Sequence, residues 1–72
     1  MIIATTYVNG ILNIIVRQNQ EGEQDFEEIV IFEAEAGVIR SGGQTIARIG
    51  QRDPIEVIES SFNEATSRYD FV

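Results

Sequence analysis

The chain has no cysteine, histidine, tryptophan or lysine, and only one proline, Pro54. Without cysteine it can form neither disulfides nor thiolate metal sites. Without histidine it lacks the usual general base near neutral pH and the commonest metal ligand. Positive charge is also scarce: five arginines (Arg17, Arg40, Arg48, Arg52, Arg68) stand against twelve acids, for a net charge of −7. Direct binding to a nucleic-acid backbone, which needs a basic footprint, is therefore disfavoured. A negative field favours a basic protein surface instead. No long hydrophobic run is present. Met1 to Val16 is apolar but is interrupted by Thr5, Thr6, Asn9, Gly10 and Asn13 and has no basic flank. It reads as neither a signal peptide nor a membrane span, so the expected location is the cytoplasm of the producing or host cell.

Seventy-two residues make one domain, 1–72. A chain of this size buries only about 60% of the surface its unfolded form exposes. Its core supplies roughly 3–5 kcal/mol unless disulfides, a metal or a partner subunit add to it. With the first two excluded, self-association is the remaining staple, and a homodimer is among the expected states.

The strongest local signal is Val8-Asn9-Gly10-Ile11. Asn-Gly between two apolar runs specifies a two-residue type I′ hairpin, because both turn residues need positive φ. The implied register pairs Val8 with Ile11, Tyr7 with Leu12, Thr5 with Ile14 and Ile3 with Val16. Strand alternation then places Ile3, Thr5, Tyr7, Leu12, Ile14 and Val16 on one face, expected to be the core. The reverse face, with Ala4, Thr6, Val8, Ile11, Asn13, Ile15 and Arg17, is too apolar for plain solvent yet too polar for a buried interior, and a cover over part of it is expected.

Gln18 to Asp25 contains no apolar residue and reads as a surface loop. Residues 26–36 alternate as a strand, with Glu27, Ile29, Ile31, Glu33 and Glu35 on its outer side. Gly37 marks a turn or bulge, so residues 26–40 form either one long bulged strand or two. A hairpin centred on Gly42-Gly43 joins residues 38–41 to 44–49, pairing Ile39 with Ile46 and Val38 with Ala47. Asp53-Pro54-Ile55-Glu56 then opens a helix: a capping carboxylate, proline at the first position and glutamate at the third. Ile55, Ile58, Phe62, Ala65 and Tyr69 form its apolar stripe and extend it over about 54–68. The fold class expected is α+β: an antiparallel β-meander of four to five strands (about 2–8, 11–17, 26–36, 38–41 and 44–49) packed against one C-terminal α-helix.

Glu27, Glu33 and Glu35 share a strand face, where carboxylates two residues apart stand about 6.7 Å from one another. That spacing selects no chemistry, and no nucleophile, base and orienter come together, so no enzyme activity is expected. Counted from Glu21, the sixth and twelfth positions of a calcium loop hold Phe26 and Phe32, not glycine and glutamate, so the loop pattern fails. Ser41-Gly42-Gly43-Gln44 suits a hairpin turn better than a phosphate cradle, which opens a helix and carries lysine. No metal or cofactor is expected.

Charge is partitioned along the chain: residues 1–20 carry +1, 21–35 carry −7, 36–52 carry +3 and 53–72 carry −4. The leading expectation is a non-catalytic protein-binding module. Its acidic surface, from Glu21, Glu23, Asp25, Glu27, Glu28, Glu33 and Glu35 with the helix acids, engages a basic protein surface of a nucleic-acid-binding complex. In size, acidity and lack of catalytic groups the chain resembles, in style, the small phage-encoded inhibitors of host defence, anti-CRISPR and anti-restriction proteins among them. That resemblance implies an inhibitor that occupies a nucleic-acid groove as a DNA mimic. The alternative is a structural subunit acting through homo-oligomerisation, with Ile11, Ile15, Tyr69, Phe71 and Val72 in the self-association surface.

Overall fold

Three two-residue loops build the sheet. In the computed structural model, which describes residues 1–71, β1 (Ile2–Val8) and β2 (Ile11–Asn19) are joined by Asn9 and Gly10 at φ of 52° and 79°. Both values lie in the left-handed region that a type I′ turn demands. The same geometry recurs at Ala36-Gly37, between β3 (Glu27–Glu35) and β4 (Val38–Ser41), and at Gly42-Gly43, between β4 and β5 (Gln44–Arg48). Residues 26–40 are thus two strands with a tight turn between them. Gly37 is required twice over, since a Cβ there would meet the Gly50 carbonyl oxygen at 3.0 Å. Its own carbonyl accepts from the amides of Ile49 (2.8 Å) and Gly50 (3.1 Å), fixing where the chain leaves β5.

The five strands form one antiparallel sheet in the order β1-β2-β3-β4-β5. Most of the expected first-hairpin register holds, from Val8↔Ile11 to Ala4↔Ile15. It breaks below Ala4: Ile2, not Ile3, pairs with Val16, and Ile3 is a bulge residue. The third hairpin is also shifted. Ile39 pairs with Ala47 and Val38 with Arg48, leaving Ile46 as the extra residue of a bulge. β2 runs two residues beyond its expected end, and β3 stops one residue short at each end.

The core lies on one face of the sheet and consists of Ile14, Val16, Phe32, Ala34, Ile39, Ile49, Val57 and Ile58. Helix α1 (Pro54–Ser60) starts as its sequence specifies, with Asp53 Oδ1 accepting from the Ile55 amide at 3.0 Å. It ends eight residues earlier than the expected boundary at 68. Ser60 and Ser61 both donate their hydroxyls to the Val57 carbonyl at 2.8 Å, and Ser61 caps the helix. Serines that bond the preceding turn compete with helix propagation, and the following Phe-Asn pair has poor helix propensity. The chain instead forms a small hairpin, β6 (Phe62–Asn63) with β7 (Arg68–Tyr69). Its turn is held by Asn63 Oδ1, which accepts from the Ala65 amide at 2.9 Å. The helical stripe through Phe62, Ala65 and Tyr69 therefore does not exist. Ala65 is exposed, and Val57, outside that stripe, is buried beside Ile58.

Aromatic rings tie this hairpin to the sheet. Phe32 meets Tyr69 edge-on at 6.0 Å and Phe71 at 5.2 Å, and Tyr69 lies 5.0 Å from Phe62. No helix among the described residues is long and apolar enough to cross a membrane.

Candidate functional site

Helix α1 and the β6–β7 hairpin both sit on the core face, and among the described residues nothing covers the other. The register assigns the residues of that open face. Ile11, Asn13, Ile15, Arg17 and Asn19 come from β2, opposite Glu33, Ile31, Ile29 and Glu27 of β3, with Glu35 at the upper end. β4 and β5 add Val38, Arg40 and Arg48, and β1 adds Ala4, Thr6 and Val8. Ile29 and Ile31 are 57% and 48% exposed. The cover that the apolar reverse face calls for is not supplied by this part of the chain.

The core assignment of β1 is also corrected. Tyr7 is 73% exposed and Thr5 is exposed, although both point to the helix side. The shortened helix and its hairpin do not reach that far, so β1 touches solvent on both faces, and only Ile2 is half-buried.

The seven acids expected to form one surface separate into three groups. Glu21, Glu23 and Asp25 lie exposed in the loop between β2 and β3. Glu21 and Glu23 border a shallow groove whose other side is Thr66, Arg68 and Asp70. Glu27, Glu33 and Glu35 stand on the open face, where Glu33 is directly opposite Arg40 in the ladder and Arg17 and Arg48 lie on the same side. Glu28 points to the helix side and is already engaged. Its Oε2 accepts from Gln18 Nε2 at 2.8 Å and from Arg68 Nη1 at 3.3 Å, the one ion pair within 4 Å among the described residues. Gln18 is 6% exposed, and its Oε1 accepts from the Tyr69 amide at 2.9 Å, while Arg68 Nη1 also donates to the Asn19 carbonyl. These bonds fasten β7 across the ends of β2 and β3. Glu28 thus has a structural role in holding β7, and its side chain stays 36% exposed.

The proposed self-association residues divide as well. Ile11 and Ile15 are half-buried on the open face. Tyr69 and Phe71 are half-buried and pack against Phe32 on the covered side. Val72 lies outside the described residues.

Counting charges by face gives a sharper division than counting along the chain. The open face carries Glu27, Glu33 and Glu35 against Arg17, Arg40 and Arg48, and is neutral. The remaining nine acids and two arginines hold the whole net charge of −7. They are the loop acids, Glu28, and Asp53, Glu56, Glu59, Glu64 and Asp70 around the helix and the small hairpin, with Arg52 and Arg68. This division is absent from the linear charge blocks because strand alternation sends Glu27 and Glu28 to opposite faces. Sequence reasoning gave the helix acids only a supporting part, and the short helix with its hairpin spreads them along the covered side, from Asp53 beside the Ala36-Gly37 turn end of the sheet to Asp70 beside the loop that carries Glu21 and Glu23. Burial, and then the nearby Glu59 carboxylate, raises the Tyr69 phenol above its ordinary value. Among the described residues no three acidic side chains gather closely enough to hold a metal ion.

Comparison with protein-family models, with curated proteins and with solved structures finds no match to this chain.

Proposed function

We propose that this protein is a non-catalytic binding module that presents its acidic, helix-bearing side to a basic protein surface. The observation that supports this reading is the segregation of charge: all of the net −7 lies off the open sheet face. Carboxylates held on a short helix, a tight hairpin and one loop form a dense negative field that speeds encounter with a basic surface. Arginines of a nucleic-acid groove donate paired hydrogen bonds to carboxylates much as they do to phosphates. The match is one of charge density, since phosphates recur every ~3.4 Å along a strand of nucleic acid and these side chains do not follow that register. Acting in the cytoplasm of the producing or host cell, such a module inhibits by occupying the groove.

Immobilised protein incubated with a lysate tests this. The captured proteins should release as salt rises, because screening shortens the reach of exposed charges. Added duplex DNA should displace them too. Reversing Glu56, Glu59, Glu21 and Glu23 to lysine should abolish capture, and reversing Glu33 and Glu35 should weaken it much less. Capture indifferent to salt, or lost only on reversal of Glu33 and Glu35, sinks the proposal.

A further inference from the structure

We propose that the outer edge of β1 is a self-association site, at which the strand pairs antiparallel with β1 of a second copy of this chain. Four of the seven exposed large hydrophobic residues, Met1, Ile3, Tyr7 and Val8, lie on or beside this one strand. β1 is hydrogen-bonded to β2 alone and, beyond Ile2, which packs against the core, is exposed on both faces and along its outer edge.

Edge strands in monomeric proteins are normally blunted by charge, proline, shortness or bulges. β5, at the opposite edge, follows that practice: it has five residues, a bulge at Ile46 and a terminal Arg48. β1 has seven residues, no charge and no proline. Its bulge at Ile3 sits at one end and leaves Ala4 to Val8 regular.

Backbone geometry identifies the groups that pair. A two-residue hairpin loop is closed by a hydrogen-bonded pair, here Val8 and Ile11, so alternation turns the N–H and C=O groups of Thr5 and Tyr7 outward. A twofold axis at Thr6 sets Thr5 against Tyr7 of the second copy and Tyr7 against Thr5, which satisfies all of these groups. It also sets Ala4 against Val8 across the join, an apolar pair.

Charge selects the second copy as the occupant. No carboxylate occurs in the first twenty residues, so two molecules of charge −7 meet at this edge without opposing carboxylates on the joined strands. A single strand pair is a small interface, and the dimer belongs in the range of roughly micromolar dissociation constants.

The test is sedimentation velocity on the purified chain over a dilution series from about 1 to about 500 μM. It is combined with residue-resolved hydrogen exchange at both ends of that series. A concentration-dependent dimer is expected, with the amides of Thr5 and Tyr7 slowing as concentration rises. Thr5→Lys places two like charges at the join and should weaken the dimer by about tenfold or more. Added salt should tighten the dimer by screening its net charge, the opposite of its effect on capture of a basic partner, so failure of either proposal is visible without the other. A strict monomer throughout overturns the inference. So does a dimer whose Thr5 and Tyr7 amides do not slow, or one dissolved by Ile31→Lys and not by Thr5→Lys, which would place the second copy on the open face. The exchange readout uses the unaltered chain and decides the matter even if Thr5→Lys does not fold.

Discussion

The two faces of one sheet carry similar side chains and meet different fates. On the covered face Ile14, Val16, Phe32 and Ile39 are buried beneath α1 and the β6–β7 hairpin. On the open face Ile15, Ile29 and Ile31 occupy neighbouring positions on the same strands and stay half-buried or exposed. Residue type does not distinguish them. What does is whether the last nineteen described residues fold back over them, so the core resides on one side while the other leaves its isoleucines in contact with solvent.

The largest expected effect breaks this contrast directly. Ile58→Ala removes a fully buried side chain from the helix side and should cost about 3–4 kcal/mol, most of the margin of so small a domain. Ile31→Ala, on the same kind of residue in the open face, should cost under about 0.5 kcal/mol. Urea unfolding followed by circular dichroism measures both, and equal losses would mean the open face is covered in solution. Next in size is Gln18→Ala, which takes away a buried acceptor of the Tyr69 amide and a donor to Glu28. A loss of about 1–3 kcal/mol is expected, because the remaining partners sit partly buried without a bond. Hydrogen exchange should show the hairpin opening with it, the amides of Asn19 and Tyr69 exchanging faster than those of β3.

A smaller effect, of opposite sign, tests the turn that settled how residues 26–40 divide. Ala36 occupies the left-handed region at φ 52°, which an L residue adopts at some cost. Ala36→Gly should stabilise the protein by about 0.5–1 kcal/mol, read as a higher urea midpoint at unchanged slope. A decrease would mean that the turn takes another form.

How much was legible in the sequence follows the range of the forces involved. Asn9-Gly10 and Asp53-Pro54 act within four residues, and both the first hairpin and the helix start stand where the sequence places them. The type I′ turn at Ala36-Gly37 was less visible because alanine rarely accepts positive φ; the Glu35↔Val38 pair on either side of it imposes that conformation. The helix end was misread because Phe62, Ala65 and Tyr69 happen to fall at helical spacing. Two serine hydroxyls and the long-range bonds of Gln18, Glu28 and Arg68 decide otherwise, and the separation of 40 to 51 residues between these partners leaves no local signal. For the candidate surface, the number of acids was legible, but their distribution over faces was not. That depended on alternation through β3 and on where the shortened helix and its hairpin came to rest.

The smallest expected effect reads the cover from the inside. Tyr69 packs between Phe32 and Phe62 on the covered side, and its phenol is raised above the ordinary value of 10.0 by burial and then by Glu59. A raised value means the folded state holds its proton after the unfolded chain has begun to lose it. The stability that this group contributes is therefore fully present below about pH 10 and declines as pH rises through the folded value. In a Tyr7→Phe background, where Tyr69 is the only tyrosine, tyrosinate absorbance should develop above pH 10.0 while the protein is folded and shift downward in urea. Glu59→Gln should lower the folded midpoint part of the way and leave the contribution of burial in place. A folded midpoint equal to that in urea would mean the β6–β7 hairpin stands away from the sheet, and the difference between the two faces would shrink to the contribution of α1 alone.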